Sequence, residues 1–174
     1  MHFEISNFDA RVFAPGDIPT LGSDFLAKQP AKVRQWVLAH LPEEKRGAAL
    51  DEVLKSVASH ICVAFTNDYP RALGWLIPFS NGGARTAWCH FILPPMSQSL
   101  RMKIGWRFMT ESLQRYDALM CLVPRHLREV RGILEALGFD HITTLPQACF
   151  IHEHNRHLDG CLYIYRKKDH DIQF

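Results

Sequence analysis

The residues best suited to chemistry lie in segment 89–108, CHFILPPMSQSLRMKIGWRF, where an apolar stretch is followed by two prolines, a polar loop and a helix-like pattern. Arg101, Lys103 and Arg107 could donate charge-assisted hydrogen bonds to a phosphate group. Gly105 would let the backbone approach such a group closely, and the N–H groups at a helix start favour anions. The segment is therefore a candidate phosphate site. The alternative is a plain strand-to-helix connection whose basic side chains are solvated.

Two further residues could take part in group transfer. His90 lies in the strand-like stretch AWCHFIL, and a histidine with an ordinary pKa of about 6.5 can act as a base near neutral pH. The alternative for His90 is a structural histidine bonded to a backbone carbonyl. Cys121 could be a nucleophile, but it lies within an apolar run, where burial raises the pKa of a thiol and makes it inert.

A histidine-rich segment, FIHEHNRHLDGC, covers residues 150–161. His152 and His154 would lie on one face of a strand, at a spacing compatible with metal ligation. Because the segment falls at a turn between two predicted strands, where polar residues are expected in any case, we expect no metal.

The composition is that of one globular domain. The chain has 174 residues, 47% of them apolar, and a formal charge of +2 from 20 basic and 18 acidic side chains. This small charge predicts neither nucleic acid nor a membrane surface as a partner. No apolar run is long enough to cross a bilayer, and no signal-like segment opens the chain, so we expect a cytoplasmic protein. Five scattered cysteines in apolar segments predict buried free thiols.

Hydrophobic periodicity predicts the elements that would position these residues, in the order β-α-α-β-β-β-α-β-α-β-β. The predicted helices cover residues 30–41, 43–60, 100–114 and 124–139. The segments are a strand and loop (1–23), two helices (24–60), a β-meander (61–93), the phosphate-loop candidate with a β-α unit (94–139), and a hairpin with a tail (140–174). We interpret these segments as a single domain.

This order, with a loop candidate after the fourth strand and a helix ending in LGF after the fifth, resembles the GNAT superfamily of acyl-CoA-dependent N-acyltransferases over residues 24–166. The resemblance implies an α/β (α+β) fold, with a mixed, mainly antiparallel central sheet of six to seven strands and four helices on its two faces. It also implies acetyl-CoA or another acyl-CoA as co-substrate, a primary amine as acceptor, and direct transfer between them. A homodimer is compatible with it.

In this family the acyl-CoA lies where the strand before the loop splays from its parallel neighbour, and its pyrophosphate sits on the loop and the helix start. Carried onto this chain, the resemblance implies His90 as the base and Arg125 at the adenosine or phosphate end of CoA. The other implied cofactor contacts are Ile92, Leu93, Arg101, Met102, Lys103, Ile104 and Gly105. For Arg125, Arg128 and Arg131, a solvated helix face is the alternative.

The chain also departs from the family pattern at two positions. Lys103 stands where the middle glycine of the loop motif is expected, and Leu134 stands where a tyrosine protonates the departing thiolate. These departures favour an alternative function, a GNAT-fold protein that has lost catalysis and works in binding or assembly. Divergent members of phage or prophage type are similar in length. A metal-dependent hydrolase built on the histidine-rich segment is a third hypothesis.

Overall fold

In a computed structural model, which describes residues 8–81, 84–151 and 155–167, the chain forms seven strands and five helices. The strands are β1 Phe8–Phe13, β2 His60–Thr66, β3 Tyr69–Asn81, β4 Ala84–Ile92, β5 Ala118–Pro124, β6 Asp140–Ile151 and β7 Arg156–Arg166. The helices are α1 Leu21–Ala27, α2 Ala31–Trp36, α3 Glu43–Ser56, α4 Gln98–Leu113 and α5 Arg128–Ala136.

The seven strands form one sheet in the order β1-β2-β3-β4-β5-β7-β6. The pairs β1/β2, β2/β3, β5/β7 and β6/β7 are antiparallel, and β4/β5 is parallel. This mixed, mostly antiparallel sheet confirms the predicted fold class. The apolar segment DALMCLV contains β5, which lies between β4 and β7 in the sheet.

The structure has one helix more than predicted, because α1, Leu21–Ala27, forms before the first predicted helix at residues 30–41. Pro30 precedes α2 with φ −57° and ψ 149°, and proline disfavours helical conformation in the residue before it, so α1 and α2 stay separate. Val37 is extended and Leu38 has φ 49°, which ends α2 before the predicted boundary at Leu41. Helical periodicity alone did not reveal these interruptions.

A carboxylate from another helix caps α1. No side chain at its own N-cap, Thr20, makes the capping hydrogen bond. Instead, Asp51 of α3 accepts hydrogen bonds from the N–H of Gly22 at 2.6 Å, from the N–H of Ser23 at 3.0 Å, and from the Ser23 hydroxyl. A negative charge at a helix start is also favoured by the helix dipole.

The chain divides into two compact units. The first contains the chain up to Ile77 together with His90–Leu100, and the second contains Pro78–Cys89 and the chain from Arg101 onward. In the first unit, side chains from α1–α3 and β2–β4 form one buried cluster. Its most completely buried large side chains include Phe25, Leu50, Ile61 and Leu73.

In the second unit, β5 and β7 supply fully buried side chains, among them Leu119 and Tyr163. Helix α5 covers Arg128–Ala136, within the predicted range 124–139, and Gly138 of the LGF ending follows its last turn with φ +90°. The N–H of Phe139 closes this end by donating to the carbonyl of Leu134 at 3.0 Å, as in a glycine-terminated helix. Among the described residues, no helix is long and apolar enough to span a membrane.

Candidate functional site

The parallel pairing between β4 and β5 is short. It joins Thr86, Ala87 and Trp88 to Ala118, Leu119 and Met120. β4 itself continues to Ile92, so Cys89–Ile92 follow its last described pairing with β5. Backbone groups at a strand edge need partners, and an extended chain that carries amide groups can supply them. The side chain of Ile92 is buried, so only its main chain is suited to such a contact.

The loop after β4 leads into a capped helix start. The Oγ of Ser97 accepts a hydrogen bond from the N–H of Leu100 at 3.3 Å, which is the usual N-cap arrangement. The N–H groups of Gln98 and Ser99 belong to the same turn, where a helix has no internal partners for its donors. Together with the positive end of the helix dipole, they can bind an anion.

A cavity of about 290 Å³ opens beside this turn. Its lining includes Pro94, Pro95 and Ser97 from the loop and Arg71 from β3. The guanidinium of Arg71 lies over the ring of Tyr69, 4.8 Å from the ring centroid, a cation–π contact that orients it. An arginine and a helix start that line one cavity make a suitable environment for a phosphate group. The sequence analysis did not select Ser97 or Arg71.

The predicted backbone contacts from Met102, Lys103, Ile104 and Gly105 need correction. These residues follow the first turn of α4, so their N–H groups are used by the i→i−4 hydrogen bonds of the helix. Gly105 has a packing role instead, because a Cβ added there would lie 2.7 Å from Cδ1 of Leu137. The backbone N–H groups of the segment that are not used inside the helix therefore lie one turn earlier than predicted.

The basic side chains of the same segment are also partly engaged. Nη1 of Arg101 donates to the carboxylate of Glu129 at 2.9 Å, and Nε of Arg101 is buried with no partner among the described residues. Arg107 forms an ion pair with Glu111 at 2.8 Å. Lys103 is exposed. The Arg101 contact links α4 to α5, and the Arg107 ion pair lies within α4. Of the three predicted cations in this segment, only Lys103 is fully available to a ligand.

His90 has the geometry of an available base. Its ring stacks on Trp75 with centroids 5.4 Å apart and an interplanar angle of 13°, while the residue keeps substantial solvent exposure. The partial burial of the ring lowers its pKa below the ordinary 6.5. The imidazole is therefore neutral at pH 7 and can accept a proton.

Two other predicted positions are buried. Cys121 is 2% exposed, and it contacts Cys89, whose pKa is raised by burial and by the hydrogen bond between the two thiols. This environment is the opposite of one that activates a nucleophilic cysteine. Leu134 is 1% exposed, so the position of the family's tyrosine is part of the core in this chain.

A second cavity, of about 800 Å³, lies between the loop after β5, helix α5 and the strands β6 and β7. We call it the arginine pocket, and its polar lining includes Arg125, His126, Arg128, Arg131, His157 and Asp159. Arg125, a predicted cofactor contact, pairs there with Asp159 at 3.5 Å. The sequence shows the arginines three residues apart, but it does not show that β6 and β7 form the other wall.

The predicted histidine pair, His152 and His154, lies outside the described residues, as does Glu153. Within the described ranges, no group of three or more His, Cys, Asp or Glu side chains is arranged to hold a metal ion.

The sequence matches no protein-family model and no curated protein. Solved structures do match. The chain is similar to an acetyltransferase of the GNAT family from Streptococcus pneumoniae, with TM-score 0.64 and 13% identity over 92% of this chain and 100% of that one. It is similar to the ribosomal-protein-S5-alanine acetyltransferase from Vibrio fischeri, with TM-score 0.70 and 13% identity over 96% and 97%. For yncA from Salmonella typhimurium, solved with its cofactor acetyl-CoA, the TM-score is 0.65 at 13% identity over 94% and 95%.

These likenesses show that the chain has the GNAT acetyltransferase fold, which confirms the resemblance inferred from the order of its elements. At such low identity they concern the fold alone, and the activity has to be argued from the site.

Proposed function

We propose that the protein is an acyl-CoA-dependent N-acyltransferase that transfers an acyl group, acetyl in the simplest case, to a primary amine. The observation that carries this proposal is the short β4/β5 pairing, which ends at Trp88 and Met120. Beyond it, β4 could pair with the two amides of a pantetheine arm through main-chain groups of His90, Ile92 and Leu93. The structure of yncA with acetyl-CoA supports this choice of ligand.

The pyrophosphate of the acyl-CoA would lie at the first turn of α4. Gln98 and Ser99 would donate their N–H groups to it, and Arg71, which lines the adjoining cavity, would supply a positive charge. Charge-assisted hydrogen bonds of this kind are about twice as strong as neutral ones. Ile92 and Leu93 keep their predicted place in the cofactor contact, through their main chain.

In the proposed reaction, the nitrogen of a neutral amine attacks the thioester carbonyl and forms a C–N bond. His90, or a water molecule bound to it, takes the proton that the nitrogen loses. The tetrahedral intermediate then collapses, the C–S bond breaks, and the thiolate of CoA leaves. Because Leu134 is buried and cannot donate a proton, the thiolate would be protonated from solvent or by the imidazolium of His90.

The first experiment is a calorimetric titration of the protein with acetyl-CoA and CoA, using Ser97→Asp as the test variant. Aspartate is as good an N-cap as serine, so α4 should keep its stability, but its carboxylate would repel a pyrophosphate. We expect micromolar binding by the wild type and at least about tenfold weaker binding by the variant, because the added negative charge opposes the charge-assisted contacts to the pyrophosphate. Gln114→Glu, an exposed position just after α4, adds the same charge elsewhere and should bind like the wild type.

A second function is favoured by one observation, the burial of Leu134. A GNAT-fold protein without a general acid at this place could bind a ligand or a protein partner without catalysis. Absence of CoA binding up to millimolar concentration by the folded wild type would reject the transferase and favour this alternative. Tight CoA binding without turnover of any amine would favour it too.

A further inference from the structure

The arginine pocket contains more positive charge than its carboxylates can balance. Of its three arginines, Arg125 has a carboxylate partner, Asp159. For Arg128 and Arg131, no ion pair with a described carboxylate is found. Arg131 is half-buried, and an unpaired cation that is partly removed from water costs free energy. An anion in the adjoining cavity would compensate for this cost.

The orientation of Arg131 supports the presence of a ligand. Its Nη1 lies 4.0 Å from the sulfur of Cys161, a weak acceptor, and its Nε is buried with no hydrogen-bond partner among the described residues. Arg128 precedes it by three residues on α5, so both side chains lie on the same face of the helix. Two guanidinium groups on one face are well suited to a multiply charged oxyanion.

The start of α5 also favours the binding of an anion in this pocket. No side chain caps its first turn, whose N-cap position is occupied by Leu127. Arg128 and the cavity lie at this end of the helix, where the dipole favours negative charge. The helix start and the two unpaired arginines are independent features that favour the same kind of ligand.

The pocket lies on a different flank of α5 from the one that contacts α4. On the α4 side, Glu129 binds Arg101, and Leu137 packs against Gly105. On the other side, Arg131 reaches Cys161 of β7. A ligand in the arginine pocket is therefore separated by α5 from the part of α4 that contacts this helix at Arg101 and Gly105.

We infer that the arginine pocket binds the doubly charged phosphate of the acceptor, so that the substrate class is a primary amine that also carries a phosphate monoester. This inference rests on the proposed function, because a transferase has two substrates and the acyl-CoA is assigned to α4. It assigns Arg125 to the acceptor-binding pocket in place of the predicted contact with the cofactor. The other source of a phosphate monoester is the 3′-phosphate of CoA itself.

The test begins with inorganic phosphate and needs no acyl-CoA. Phosphate is titrated calorimetrically at pH 8 and constant ionic strength, since screening would otherwise alter the result. We expect the wild type to bind, and Arg128→Gln and Arg131→Gln each to bind about tenfold more weakly through the loss of charge-assisted hydrogen bonds. Arg128 is exposed, so its variant should fold even if Arg131→Gln does not. Arg115→Gln, with the same charge change at an exposed site after α4, is the matched control.

Equal phosphate binding by all variants, or none by the wild type, would overturn the inference. The source of the phosphate is tested by adding CoA or dephospho-CoA. Simultaneous binding of CoA and phosphate supports the acceptor, whereas displacement of phosphate by CoA but not by dephospho-CoA would assign the pocket to the cofactor. If CoA does not bind while phosphate binding depends on Arg128, the transferase and the acceptor assignment fail together, and only an anion site remains supported.

Discussion

At the scale of single residues, His90 should determine the pH dependence of the proposed reaction. Its pKa is lowered from 6.5 by burial, so the neutral, proton-accepting form is present at pH 7 and is lost only as the pH falls through this lowered value. We expect kcat/KM to be constant around neutral pH and to decrease at acid pH. The assay should use an aromatic amine as acceptor, because its amino group stays neutral over this pH range and its ionisation does not alter the profile.

His90→Gln provides the control for this prediction. If His90 is the base, its loss should reduce kcat by a factor of about 100 to 10,000 and remove the acid limb of the profile. The pKa itself can be read from an NMR titration of the imidazole, whose signal is assigned by its absence in the variant. A pKa of 6.5 or above, or an unchanged profile in His90→Gln, would contradict the assignment.

At the scale of secondary-structure elements, two helical glycines should respond in opposite directions to the same substitution. A Cβ at Gly105 would lie 2.7 Å from Cδ1 of Leu137, a side chain that is only 4% exposed, whereas nothing lies within 4 Å of a Cβ at Gly132. Gly132→Ala should therefore stabilise the protein by about 0.5–1 kcal/mol through helix propensity. Gly105→Ala should destabilise it, because overpacking costs about 1–3 kcal/mol.

Urea unfolding of the two variants beside the wild type measures both effects. If Gly105→Ala were as stabilising as Gly132→Ala, the close packing of α4 on the end of α5 would be incorrect.

The elements also show how far the sequence could predict the fold. Helix α4 was predicted from the 3.6-residue spacing of its apolar side chains, and Ile104, Phe108 and Met109 are buried, because periodicity reports directly which side of a helix is covered. The start of α1 and the early end of α2 were missed, since they depend on a cap supplied by Asp51 from a distant helix and on the backbone of Leu38. Neither leaves a local pattern.

The candidate site was harder to predict for the same reason. Composition and spacing selected the segment, but only the helix boundary shows that Ser97 and not Gly105 stands at the first turn of α4, the proposed pyrophosphate site. At the scale of the whole molecule, a formal charge of +2 predicted no strong preference for anions. The arginine pocket concentrates positive charge locally because β6 and β7 fold against α5, and that depends on contacts between residues far apart in sequence.

The stability of the whole molecule should decrease at alkaline pH because of Tyr163. This residue is fully buried in β7, and its hydroxyl donates to the carboxylate of Glu135 on α5 at 2.8 Å. Burial and this carboxylate raise the pKa of Tyr163 from 10 to about 12. The folded state thus keeps a proton that the unfolded state loses, so the contribution of Tyr163 is complete below pH 10 and is lost as the pH rises toward 12.

Denaturant unfolding of the wild type and Tyr163→Phe between pH 8 and pH 12 tests this prediction. The variant should be less stable at pH 8 by about 1 kcal/mol, the usual worth of one hydrogen bond. Because phenylalanine has no proton to lose, its free energy of unfolding should fall less steeply with pH, and the two curves should converge above pH 10. Parallel curves over the whole range would show that Tyr163 does not hold its proton in this way, and that the alkaline instability arises from other groups.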